Sequence, residues 1–219
     1  MSSAISPSWN RDTRQYLVRH KHGLKNDESV IIKSPLLFDM FKRLSETERT
    51  TVFDIGCARQ SSIDFFSDYW SKLFFADAIQ TLNKLDHEPE QEPVDIDSLL
   101  AKAIQFYQQT SPELDMILLW SLPNYLSPNH LKALVKYLMT NASSRVMLHA
   151  YLYNSERMPA EPASYSILPD QRVAMSGSSE MKTNCPLYHL AELQNYFAPL
   201  KVEHSMILSS GVQEYVFSL

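Results

Sequence analysis

Glycine is scarce: only Gly23, Gly56, Gly177 and Gly211 occur in 219 residues. Four scattered glycines exclude a P-loop, a complete three-glycine dinucleotide fingerprint and any glycine-rich repeat, and they disfavour an NAD-linked oxidoreductase. Cysteine is scarcer still. Cys57 and Cys185 alone supply neither a thiolate zinc cage nor a disulfide framework. The seven histidines are dispersed and none forms the i, i+4 pair of a helical zinc site, so no metal is expected. No apolar run approaches the roughly 18 residues of a membrane span. The start of the chain, MSSAISPSWNRDTRQ, lacks the apolar stretch of a signal peptide. No membrane partner is expected, and a reducing, cytoplasmic setting is. There is no G-x-S-x-G elbow, which leaves a hydrolase triad unsupported. Nor is there an excess of positive charge. With 25 acidic against 20 basic residues and a net charge of −5, broad nucleic-acid binding is disfavoured.

What is present fits one soluble globule. Apolar residues make up 44% of the chain and charged residues 21%, unlike a disordered segment. A chain of this size removes about 70–75% of its unfolded surface from water, enough for one core. Residues 1–34 read as a basic N-terminal arm carrying Arg11, Arg14, Arg19, Lys21 and Lys25. Residues 35–219 read as the folded domain.

Within that domain, Leu37, Met40, Phe41 and Leu44 give one helical stripe, opened by Ser34-Pro35 as N-cap and first-turn proline. The run Val52-Phe53, closing on Asp54-Ile55-Gly56, predicts a short buried strand. Helical spacing follows in Ile63, Phe66 and Trp70, then a second apolar run from Leu73 to Ala76 ending at Asp77. Residues 86–95 are acidic and proline-rich, as a solvated loop would be. Asp97 can cap a helix with the stripe Leu100, Ala103, Ile104 and Tyr107. Met116 to Trp120 is a continuous apolar run, predicting a strand covered on both faces. Ser127-Pro128 starts another helix (Leu131, Leu134, Val135, Leu138), and Val146 to Tyr151 another strand. Residues 154–184 show no clear period and read as a long excursion, usually functional or mobile in a compact domain. A last helix (Leu187, Leu190, Leu193, Phe197) precedes two β-rich runs joined by Ser209-Ser210-Gly211, a hairpin turn.

Strands alternating with helices imply a Rossmann-like, mostly parallel α/β sheet with helices on both faces. The closing pair, joined by a tight turn, must be antiparallel. In such sheets ligands bind beyond the carboxyl ends of the strands, near the point where strand order reverses. That rule selects Asp54 to Gln60, Asp77, and Trp120 to Tyr125. Gly56 permits a sharp turn and a close approach. The helix that follows would offer free N–H groups to an anion. Asp77, about twenty residues on, can accept from both hydroxyls of a ribose and would repel a 2′-phosphate. Trp120 is either core or a cofactor stack.

VFDIGCARQ, then LFFADA, then LDMILLWSLPNYLSPNHLKAL resembles the first, second and fourth motifs of the class I S-adenosylmethionine-dependent methyltransferases. The terminal run EYVFSL resembles the antiparallel strand that finishes their seven-stranded sheet. The likeness covers roughly residues 50–219. It implies S-adenosylmethionine as cofactor, with Asp54, Gly56, Cys57, Ala58 and Gln60 around the methionine moiety, Asp77 and Ala78 at the ribose, and Trp120 beside them. It implies a methyltransferase whose acceptor is not named. Two departures leave an alternative open. The alternating glycines of the first motif survive only at Gly56, with Ala58 and Gln60 in the next two places, and no third motif is found; Pro93-Val94-Asp95 is a poor candidate. A catalytically inactive, methyltransferase-like binding or scaffold protein is therefore the second expectation. Leu122-Pro123-Asn124-Tyr125 lacks the first residue and second proline of the tetrad used by amino-methylating members, so no amine acceptor is inferred.

Overall fold

A computed structural model describes residues 29–43, 48–79, 82, 113–183 and 185–219. Among the described residues, strands β2 (Thr50–Asp54), β3 (Ser71–Phe75), β4 (Leu114–Trp120) and β5 (Ala142–Tyr153) form the parallel part of a six-stranded sheet. β10 (Lys201–Ile207) and β11 (Val212–Ser218) complete it in the order β10-β11-β5-β4-β2-β3, with β11 antiparallel to both neighbours. All of β2 and β4 is buried, which explains why both read as unbroken apolar runs. The tight connection is as expected: Gly211 has φ +80°, and Leu208 N–H donates to Val212 O at 2.8 Å.

Helix α2 (Gln60–Ser67) links β2 to β3, and α3 (Pro128–Met139) links β4 to β5 in the opposite direction along the sheet. Right-handed crossovers place those helices on opposite faces. On one face, Phe38 and Phe41 of α1 (Pro35–Phe41) interlock with Phe65 and Phe66 of α2. On the other, α3 packs with α4 (Leu190–Tyr196). Strand order reverses between β2 and β4.

Several local expectations are corrected. Residues 29–33, assigned to the arm, form strand β1 and pair with β8 (Arg172–Ser176). The excursion is itself β-structured: β7 (Ser164–Leu168), β8 and β1 make a three-stranded antiparallel sheet, while β6 (Arg157–Pro159) pairs with β9 (Met181–Thr183). Helix α2 stops at Ser67, so Trp70 leaves the apolar stripe and stands 56% exposed. Leu187 precedes α4, and with Leu190 it faces solvent. Ser127 caps α3 through His130 N–H as expected, whereas Ser34 does not cap α1. Residues 1–28, Leu44, the 86–95 loop and the helix expected from Asp97 lie outside the described residues.

Candidate functional site

The carboxyl ends of β2 and β3 lie side by side. Ala76 N–H donates to Asp54 O at 2.9 Å, Asp77 N–H to Gly56 O at 3.0 Å, and Ala78 N–H to Ile55 O at 3.0 Å. On the other side of β2, Ile55 N–H donates to Leu118 O of β4 at 3.1 Å. Gly56 thus sits between two strand ends, and both bear a non-glycine residue in the left-handed region: Asp77 at φ 47° and Trp120 at φ 52°. Aspartate tolerates that conformation; a bulky aromatic residue does so at a cost of about 1–3 kcal/mol.

Trp120 reaches its position through a bulge. The β4–β5 register slips between Leu118 and Trp120, which re-aims the side chain. Its Nε1–H donates to Asp54 Oδ1 at 2.6 Å, across the place where strand order reverses. The same oxygen accepts from Gly56 N–H at 2.7 Å. A Cβ built on Gly56 would lie 3.0 Å from Asp54 Oδ1 and 3.4 Å from Trp120 Nε1. Glycine is needed here for the close approach of these two side chains. Burial drives the Asp54 carboxyl up to about 7, although the hydrogen bonds from Trp120 and Gly56 pull it back.

The indole is held from above by the excursion. Tyr165 of β7 stacks on Trp120 with ring centroids 4.8 Å apart and planes 3° from parallel. β7 is in turn tied to α2, whose Ser62 Oγ accepts from Ile167 N–H at 3.0 Å. Trp120 also meets His149 edge-on and Tyr151 at a tilt.

The sequence-selected residues therefore divide. Asp54, Gly56 and Trp120 are in mutual contact and buried. Cys57 is half-buried, and Ala58 and Gln60 are exposed on the turn into α2. The Gln60 amide donates to Asp64 Oδ1 at 2.7 Å, along its own helix. Asp77 is exposed at the lip, while Ala78 is buried in the core behind it. Asn124 is structural: its amide nitrogen donates to Ser121 O and Tyr151 O, and its oxygen accepts from Tyr153 N–H.

One cluster went unread. Glu214 of β11, fully buried, accepts from Ser34 Oγ–H, Leu36 N–H and Leu37 N–H, and lies 3.0 Å from His149 Nε2. Its carboxylate takes over the capping of α1 that Ser34 was expected to supply. Burial raises the Glu214 carboxyl, but the bonds from His149, Ser34 and Leu37 outweigh it and hold it below the usual range. The available signal was an acid set inside an apolar strand, VQEYVF. His149 Nδ1 is buried with no hydrogen-bond partner.

Elsewhere, a cavity of about 400 Å³ opens at the amino ends of the strands, lined by Thr50, Asp115, Arg145 and Glu203 among others. Its arginines are engaged: Arg145 with Asp115 and Glu48, Arg43 with Glu203. Among the described residues, no group of three or more His, Cys, Asp or Glu side chains is placed to hold a metal, and no helix is long and apolar enough to cross a membrane.

No protein-family model matches the chain, and no curated protein sequence matches it. Solved structures align with it at low identity and with TM-scores below 0.5. A methyltransferase described as S-adenosylmethionine-dependent from Clostridium acetobutylicum aligns with 84% of this chain and 89% of its own, at 11% identity and a TM-score of 0.45. The 1,6-didemethyltoxoflavin-N1-methyltransferase of Burkholderia thailandensis, solved with S-adenosylhomocysteine, aligns over 84% and 76%, at 11% identity and 0.45. The PH0226 protein of Pyrococcus horikoshii aligns over 84% and 86%, at 12% identity and 0.44.

Proposed function

We propose that the protein binds S-adenosylmethionine beyond the carboxyl ends of β2 and β3 and acts as a methyltransferase. The observation that supports this most is the pairing of those strand ends, which sets the exposed Asp77 carboxylate beside the Gly56 turn. A ribose at that lip would donate a hydrogen bond from each of its two hydroxyls to the Asp77 carboxyl oxygens.

The fit is good at one end of the cofactor only. Asp77 is exposed and the neighbouring turn is small-sided, with Gly56 and Ala58. The methionyl end, by contrast, would have to lie against Gly56, and the Trp120 indole is already there. The bound cofactor would supply an electrophilic methyl group; in this conformation the chain's residues do not present a place for it.

That same contact favours a second reading, in which the fold is kept as a binding or scaffold module and Trp120 permanently fills the crevice. Calorimetric titration with S-adenosylmethionine separates the two. Micromolar binding, weakened at least tenfold by Asp77→Ala, supports the first reading. Absence of heat at millimolar ligand supports the second.

A further inference from the structure

We infer that the Trp120 indole stands in the place of a methionyl group, so that this site reads a nucleoside at its ribose and has no seat for an amino-acid tail. The inference rests on the ribose contact of the reading above and parts from that reading at the other end of the cofactor. The space there is already full. A single carbon added to Gly56 would lie 3.0 Å from Asp54 Oδ1 and 3.4 Å from Trp120 Nε1, closer than ordinary non-bonded contact. A methionyl chain is several such atoms long.

The hydrogen-bonding role is filled as well. Asp54 Oδ1 accepts from the indole N–H at 2.6 Å and from Gly56 N–H at 2.7 Å. The chain's own donors thus satisfy the oxygen that a tail ammonium would seek. Burial also drives that carboxyl up to about 7, which leaves it less charge to offer a cation at neutral pH. The indole is fixed in this position. Trp120 is 1% exposed, and Tyr165, stacked on it, shares one continuous core with Ile167, Val173 and Ile32. Close packing on that scale holds a side chain in place, even on a left-handed backbone that a bulky residue adopts only where its surroundings impose it. Asp77 is untouched by this filling. It lies on the β3 side of β2, away from β4, and is exposed. The ligand class that remains is a nucleoside, with any 5′ amino-acid tail left in solvent.

The test compares adenosine with S-adenosylhomocysteine by calorimetric titration of the full chain. A seated tail would add at least one charge-assisted hydrogen bond, worth about tenfold or more in affinity. The two ligands are instead expected to bind within about threefold of each other, a spread smaller than one such bond. Trp120→Gly removes the indole and suits the left-handed backbone. With its fold checked by circular dichroism, this variant is expected to prefer S-adenosylhomocysteine by about tenfold, as the tail gains the vacated place. If the wild-type protein binds S-adenosylhomocysteine tenfold or more tightly than adenosine, the inference is overturned and the cofactor reading stands. A folded Trp120→Gly with no such preference also overturns it, because the indole would not be what excludes the tail. If that variant fails to fold, the wild-type comparison alone decides. If neither ligand binds the wild-type protein, the ribose contact falls, and both the cofactor reading and this inference fall with it.

Discussion

Trp120 Nε1 and Asp54 Oδ1, 2.6 Å apart, join the two strand ends between which the sheet reverses its order. In an open α/β sheet that is where a ligand is expected. Here the chain's own indole and carboxyl meet across it, and Gly56 is the residue that lets them.

The first consequence concerns Gly56→Ala. The new Cβ would press on Asp54 Oδ1 and Trp120 Nε1, at 3.0 and 3.4 Å. A loss of about 1–3 kcal/mol is expected from overpacking, with a red shift in Trp120 emission as the bond to Asp54 lengthens. Gly211→Ala provides the contrast: nothing lies within 4 Å, and only the φ of +80° resists a side chain. It should cost about 1 kcal/mol and leave the emission unchanged. Urea unfolding of both variants measures the difference.

Asp54 makes stability depend on pH near neutrality. Its folded-state carboxyl titrates at about 7, above the ordinary 3.8. The favourable contribution is therefore complete below about pH 4 and is lost as pH rises through 7, on the order of 1.4 kcal/mol per unit of separation. Asp54→Asn keeps an acceptor for Trp120 and Gly56 but cannot ionise. Unfolding free energies from pH 4 to pH 8 should decline less in Asp54→Asn than in the wild type; parallel curves would show that Asp54 is not the group responsible.

Glu214 acts in the opposite direction. Held below the usual carboxylate range by its hydrogen bonds, it contributes stability above that range which is lost as pH falls through its folded value. Glu214→Gln should flatten the acid flank of the stability curve, and Asp54→Asn the neutral flank. Glu214→Ala should be far worse, leaving Ser34, His149 and the first N–H groups of α1 without their acceptor. A loss of about 3–5 kcal/mol, or a Tm lower by about 10 °C, is expected by calorimetry.

These residues also mark where the sequence could and could not be read. β2 and β4 were legible because burial on both faces leaves an uninterrupted apolar signature. Asp54, Gly56, Asp77 and Trp120 were legible as a group because strand-end position follows from strand order. What each does there was not: Trp120 bonds to Asp54 only through a bulge and a left-handed backbone, neither of which has a composition signal. The excursion was illegible for another reason. β7 does alternate, with Tyr165 and Ile167 buried between half-buried neighbours, but five residues are too few to stand out. Its sheet also depends on β1, more than 100 positions earlier, inside a stretch that reads as a basic arm. Glu214 was missed because its partners, Ser34 and His149, are far away in the chain.

Asn124→Asp tests whether the turn after β4 is structural. The amide satisfies two carbonyls and one N–H of the β4–β5 region, and a carboxylate would turn two of those contacts repulsive. A loss of about 2–3 kcal/mol is expected, with nucleoside affinity changed less than twofold. A selective loss of binding at unchanged stability would instead make Asn124 a ligand contact.

The most direct measurement is a crystal structure of the protein grown with saturating S-adenosylhomocysteine. Ribose density against the Asp77 carboxylate is the expected result. Absence of any nucleoside beside Asp77 would contradict it.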